Sequence, residues 1–239
     1  MRLSLQFFFL QFVLSCLTAW TATYASAEEF KFEDGVHYVT LEIPIATKNK
    51  DTIEVTEYFS YGCPACYEFE RFISVWLTSL ADDVEFNRTP AIWNESYKLF
   101  AETYYTAYSL NILEQVHPVL FNGIQNQLRR NPRHKFSPEE LAMFLIDTAV
   151  DPIDFARVFN SFGVRTLVQQ AQARGLAYRA TGVPAIIVNG KYRITGQTAG
   201  SNPEMLLVAD YLIQMEREAN HCLLYTSPSP RDRQKSRMP

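Results

Sequence analysis

The chain has 239 residues, with 47% apolar and 20% charged side chains and a formal net charge of −4. That apolar share is enough for a sizeable core and rules out a disordered polyelectrolyte. The acidic balance argues against nucleic acid or an anionic membrane surface as partner, the more so because four of the 22 Lys and Arg residues lie in the C-terminal tail.

Residues 1–27 read as a signal peptide. Arg2 supplies the positive start, Leu3–Leu17 is an apolar run, and Ala25-Ser26-Ala27 is a small-x-small cleavage site, so a mature chain is expected from Glu28. The apolar run is short for a membrane span. Cys16, after Val13-Leu14-Ser15, also leaves an acylated form open, although Leu14 fits that signal badly. Export implies an oxidising compartment, most simply the periplasm.

Asp34-Gly35 marks a turn before a short strand, Tyr38–Leu41, and Thr47–Asp51 is a polar loop. Ile53–Phe59, rich in β-branched and aromatic residues, predicts a central strand. Ser60-Tyr61-Gly62 turns, and from Cys63 the apolar spacing becomes helical through Phe69, Phe72, Ile73, Trp76, Leu77 and Leu80. Cys63 then falls at the N-cap, Pro64 at N1 and Cys66 at N3. A sulfur there faces unpaired N–H groups and the positive end of the helix dipole, which favour thiolate. Cys66 lies one turn on, within disulfide reach. A strand that delivers Cys-x-x-Cys to a helix N-terminus is what a reversible dithiol needs. Zinc would require a second ligand pair, and His37, His117, His134 and His221 show no ligand spacing. A purely structural disulfide across four residues would constrain little of the unfolded chain.

Val84–Thr89 predicts a third strand, ended by Pro90. From Trp93 to about Tyr178 the pattern is helical: Tyr97–Leu110, a helix from the Ser137-Pro-Glu-Glu140 capping box to about Ala149, then Asp151–Asn160 and Gly163–Arg179. The many aromatic residues of this block are spaced as helix core rather than as a cofactor pocket. Strand signals return at Ala185–Val188 and Tyr192–Thr195, joined by an Asn189-Gly190 turn. Asn202-Pro203-Glu204 starts an amphipathic helix to about Asn220. From Cys222 the chain resembles a translated sequencing adaptor, Cys-Leu-Leu-Tyr-Thr-Ser followed by a Pro, Ser, Arg and Lys tail. Residues 222–239 are therefore set aside as artefactual, a native disordered tail being the competing reading. Without Cys16 and Cys222, the mature chain holds only the thiols of Cys63 and Cys66.

Phe59-Ser-Tyr-Gly-Cys-Pro-Ala-Cys-Tyr-Glu-Phe-Glu70, Trp93-Asn94 and Gly182-Val-Pro-Ala-Ile-Ile-Val-Asn-Gly-Lys-Tyr192 together resemble the DsbA family of periplasmic thiol–disulfide oxidases. The resemblance covers Glu28–Asn220. It implies an α/β thioredoxin fold, residues 28–92 and 179–221, with an inserted all-helical domain at about 93–178. It implies Cys63 as exposed nucleophile, Cys66 as buried partner, and Pro184 as a cis-proline facing the dithiol with Val183 free to pair with a substrate strand. Glu57 and Glu70 correspond to the family's acids beneath the cysteines, with Arg88 a looser match. No cofactor or metal is implied. The partners implied are unfolded, cysteine-containing exported proteins and a membrane reoxidase of the DsbB type, and a monomer is expected. Pro64-Ala65 departs from the Pro-His of strongly oxidising members, so a disulfide isomerase or reductase stays open. A non-redox peptide-binding chaperone stays open as well. Family isomerases add an N-terminal dimerisation domain, for which residues 28–38 leave no room.

Overall fold

A computed structural model describes residues 32–145 and 151–226, with side chains to 220. The expected signal peptide, Cys16 and the end of the tail lie outside the described residues. Among those described, the strands form one five-stranded sheet in the order β1-β5-β4-β2-β3. These are β1 (Val39–Thr40), β2 (Ile53–Phe59), β3 (Val84–Pro90), β4 (Ala185–Val188) and β5 (Tyr192–Thr195). β2 is fully buried and lies inside the sheet, next to the edge strand β3, rather than at its centre, which β4 holds; it is parallel to β3 and antiparallel to β4.

The first helix, α1 (Pro64–Leu77), follows β2 after the turn Ser60-Tyr61-Gly62 and the N-cap residue Cys63. Its Phe69, Ile73 and Trp76 pack on Ile53 and Val55, so α1 covers one face of β2. The helical block after β3 comprises α2 (Glu95–Ser109), α3 (Leu113–Arg130), α4 (Pro138–Met143), α5 (Pro152–Phe159) and α6 (Phe162–Tyr178). The chain then returns through β4 and β5 to α7 (Gly196–Ala199) and α8 (Asn202–Thr226). Met205, Val208, Ala209, Leu212 and Ile213 of α8 complete the core beneath α1. This is a thioredoxin-like sheet interrupted by a helical block between β3 and β4, as the residue pattern predicts.

Most boundaries fall within two residues of the sequence reading, Pro90 for instance closing β3 rather than following it, and three differences have a physical reason. β1 keeps only Val39 and Thr40, because its partner β5 is itself four residues long and pairs with β1 at Arg193 and Tyr192 only. α4 ends at Met143 rather than near Ala149: Phe144 caps it and lies against Gly123 of α3, where an added Cβ would come within 2.8 Å of the ring. α8 runs past Asn220 to Thr226, since no Gly or Pro interrupts the chain between Pro203 and Pro228.

Candidate active site

Cys63 is the N-cap of α1, and its Sγ accepts the backbone N–H of Cys66 at 3.1 Å. The turn before it is fixed by Cys63 N–H donating to Ser60 O at 3.0 Å and by Gly62 N–H donating to Ser60 Oγ at 3.2 Å. Both cysteines are free thiols, so the structure is that of the reduced dithiol. Cys63 retains 6% exposure and Cys66 none. Cys63 is thus the outer sulfur, but more enclosed than an exposed nucleophile would be. The Cys66 thiol, reinforced by the N–H groups of Cys66 and Ala65, outweighs burial and lowers the Cys63 pKa. Burial, and then the Cys63 sulfur, push the Cys66 pKa well up. The pair is therefore split into an acidic outer thiol and an inert inner one.

Pro64 and Ala65 are exposed beside the sulfur. The Val183-Pro184 bond is cis, and the Val183 carbonyl lies 3.4 Å from Cys63 Sγ. Residues 120 positions apart in sequence are thereby brought to one spot. Trp93 is half exposed and stacks on Tyr97 at 5.5 Å.

Beneath the dithiol, the parallel register of β2 and β3 sets Glu57 opposite Arg88. Arg88 Nε donates to Glu57 at 2.9 Å, and its Nη2 donates to Glu70 of α1 at 3.1 and 3.3 Å. One cation therefore serves two carboxylates. Glu57 is fully buried, and its Oε1 has no partner. Burial, and next the charge of Glu70, raise its pKa to about 8 despite Arg88. Glu70 goes the other way: burial opposes its ionisation, but a hydrogen bond from His117 and the charge of Arg88 win, and its pKa is lowered. Two neighbouring acids with opposed shifts define one proton carrier and one fixed charge.

The sequence reading brought together Cys63, Cys66, Pro64, Ala65, Val183, Pro184, Glu57 and Glu70, and the structure gathers all of them here. It missed His117, 3.2 Å from Glu70, and Gln125, whose Nε2 donates to Tyr61 O at 2.6 Å. The signal lay in α3. His117 and Gln125 are polar residues on the same apolar stripe as Leu120, Phe121 and Ile124. Among the described residues, no three His, Cys, Asp or Glu side chains converge as metal ligands.

A family model described as a DSBA-like thioredoxin domain matches residues 81–209. The thiol:disulfide interchange protein DsbA of Pseudomonas aeruginosa is 35% identical over 208 residues, covering 87% of this chain and 97% of that protein. Its counterpart in Azotobacter vinelandii is 35% identical over 215 residues, 87% of this chain and 98% of the other. The crystal structure of Pseudomonas aeruginosa DsbA superposes with a TM-score of 0.72 at 38% identity, over 80% of this chain and 97% of that one. The oxidoreductase DsbA from Xylella fastidiosa gives 0.73 at 32%, over 78% and 98%.

Proposed function

The chain belongs to the DsbA family of thiol–disulfide oxidoreductases, and from that premise we propose that it works as a periplasmic oxidase through Cys63 and Cys66. The observation that carries the assignment of roles is the asymmetry of the pair. Cys63 Sγ sits at the helix N-terminus with the Cys66 N–H at 3.1 Å, whereas Cys66 is wholly buried.

In the oxidised enzyme a substrate thiolate attacks Cys63 Sγ. The Cys63–Cys66 bond breaks, and Cys66 leaves as a thiolate that takes up a proton. A second substrate thiolate then attacks the substrate sulfur of the mixed disulfide, and Cys63 leaves as a thiolate. The substrate loses two electrons and gains a disulfide, and the enzyme is left reduced. The low Cys63 pKa makes it the better leaving group in the second step. Glu57, uncharged at neutral pH beneath the inner sulfur, is the proton donor to Cys66. Val183, beside Cys63, offers its backbone to an extended substrate segment as an added strand. The substrates are unfolded exported proteins, and a membrane partner of the DsbB type accepts the electrons. The working chain begins at Glu28 after signal cleavage, and residues 222–239 take no part in it.

The test is turnover of a reduced, unfolded protein. Cys63→Ser is expected to be inactive, because residues 28–221 hold no third thiol to replace the nucleophile. Cys66→Ser is expected to accumulate mixed disulfides on Cys63. Substantial turnover by Cys63→Ser overturns the proposal.

Ala65 favours a second reading as an isomerase or reductase. It places no cationic ring beside Cys63, so the reduced form lacks one source of stabilisation. Recovery of activity from a scrambled-disulfide protein, in excess of oxidation of the reduced protein, is the result that selects it.

A further inference from the structure

Two buried polar groups next to the dithiol have no part in the exchange steps. Tyr61 sits in the turn before Cys63 with 1% exposure, and His117, 5% exposed, comes from α3 of the helical block. Tyr61 Oη and His117 Nδ1 are 2.8 Å apart, and His117 Nε2 is 3.2 Å from Glu70 Oε1. The directions of these bonds follow from what each group can do. An ionised Glu70 only accepts, so Nε2 carries the ring hydrogen. Burial lowers the His117 pKa, so the ring is neutral and Nδ1 carries a lone pair. The Tyr61 hydroxyl must then donate to Nδ1. The result is a one-way chain, Tyr61 to His117 to Glu70, which meets Arg88 and Glu57 at its far end.

The clamp on Tyr61 is double, because Gln125 of α3 also donates to its carbonyl. One helix of the inserted block therefore holds both the backbone and the side chain of the residue two before the nucleophile. The ionisable groups facing this chain are Glu57 from β2, Arg88 from β3, Tyr104 from α2, Glu114 from α3, and the two thiols.

We propose that Tyr61 and His117 are positioning residues that decide which of the two carboxylates sharing Arg88 keeps the negative charge. By donating to Nδ1, the Tyr61 hydroxyl satisfies the lone pair of the tautomer in which His117 presents an N–H to Glu70, and so favours that tautomer. Glu70 then has donors on two sides and stays ionised. Arg88 is divided between the acids, and Glu57, with one oxygen unpartnered, is left as the one that gains and loses a proton. When the disulfide is cleaved by a substrate thiolate, the electron pair stays on Cys66 and the proton of Glu57 passes to it. Glu57 becomes a carboxylate and is reprotonated from solvent. Without the Tyr61 hydroxyl the buried Nδ1 lone pair has no donor, the tautomer that donates to Glu70 is less favoured, and the proton is shared more evenly between the two acids.

This rests on the dithiol reading above, yet its test needs no turnover, so the two fail separately. The reduced full chain is labelled with carboxyl-¹³C glutamate and titrated by NMR, the Glu57 and Glu70 signals being assigned with Glu57→Gln and Glu70→Gln. Tyr61→Phe keeps the ring that packs against Phe59 and Phe121 at 5.3 and 4.8 Å, so folding is preserved. In the native chain Glu70 titrates below an ordinary glutamate and Glu57 far above one. In His117→Phe the Glu70 midpoint is expected to rise by about one pH unit or more, the loss of one charge-assisted hydrogen bond, and in Tyr61→Phe, which only weakens that bond, to rise in the same direction by less. The Glu57 midpoint is expected to fall in step. His117→Gln, whose amide both accepts and donates, is expected to restore the native order. Unmoved midpoints in Tyr61→Phe and His117→Phe overturn the proposal. So does a His117→Gln protein that shifts as far as His117→Phe, since packing of the ring would then be the whole effect.

Discussion

At the scale of single residues, two side chains set how this dithiol responds to pH and to its partners. Glu57 ionises in the fold only at about pH 8, against 4.5 for an ordinary glutamate. A carboxyl whose folded pKa is raised contributes stability that is complete below the unfolded value and is lost as pH rises through the folded one. The reduced protein is therefore expected to lose stability between about pH 5 and pH 8, and Glu57→Gln to flatten that slope. Urea unfolding of both proteins at several pH values under reducing conditions checks this, and parallel slopes would count against it. Ala65 acts on the other sulfur. Ala65→His places an imidazolium beside Cys63, opposed by the helix dipole but attracted to the thiolate. Only the reduced form has that thiolate, so each pH unit of Cys63 acidification raises the potential by about 30 mV. The folded Cys63 pKa is depressed. The gain is thus complete above the ordinary thiol pKa and fades as pH falls through the folded one. Equilibration with glutathione at several pH values, with thiolate absorbance followed in parallel, reads both quantities. An unchanged potential would mean that the helix N-terminus alone sets the site.

At the scale of elements, the functional unit is strand, turn and helix, and its tightest point is Gly62. A Cβ there would come within 2.8 Å of the ring of Phe100, which is 3% exposed and held in the core shared by the dithiol and the helical block. Gly62→Ala is expected to cost about 1–3 kcal/mol and to displace the turn that carries Cys63. Gly163→Ala in the first turn of α6 meets nothing nearer than Ser161 Oγ at 3.7 Å, and it is expected to be neutral or slightly stabilising. Urea midpoints of the two variants make the comparison, and equal midpoints would show that Phe100 yields. This unit was also the most legible part of the sequence. The β-branched run gave β2 to the residue, and the N-cap position of Cys63 followed from Pro64 and the onset of helical spacing. Such signals are local, spanning one strand or one turn. The carboxylate cluster was less legible because its bonds join residues far apart: Arg88 to Glu57 across 31 positions, His117 to Glu70 across 47, and His117 to Tyr61 across 56. Periodicity places His117 on a buried face but says nothing of what it meets there. Only the fold supplies the partner.

At the scale of the whole molecule, the question is how much of the chain the fold requires. The helical block is integral, since its Phe100, Tyr104, Leu120 and Phe121 share one core with Phe59, Cys63 and Cys66. Arg88 ties the sheet to α1 at the centre of that junction. Arg88→Met would leave two carboxylates around a buried site without their cation, at a cost of about 3–5 kcal/mol. The C-terminal end stands in contrast. The buried face of α8 runs from Met205 to Glu216, whose carboxylate is held by Asn189 at 2.5 Å, Lys191 at 2.6 Å and Tyr192 at 3.0 Å. Arg217 then pairs with Asp83 at 2.5 Å, and Glu218, Ala219 and Asn220 are exposed. Among the described side chains, the last that tie α8 to the rest of the domain are therefore Glu216 and Arg217. A chain ending at His221 keeps every one of these contacts. Removing residues 222–239 is expected to leave the thermal midpoint, and the rate of oxidation of a reduced protein, within error of the full chain, with at most some fraying of the last turn of α8. The same truncation removes Cys222 and leaves Cys63 and Cys66 as the only thiols in residues 28–221. Thiol counting and mixed-disulfide trapping on both lengths then show whether Cys222 competes for substrate. A drop of several degrees in the truncated chain would mean that residues beyond His221 pack on the domain, and that the tail belongs to the protein.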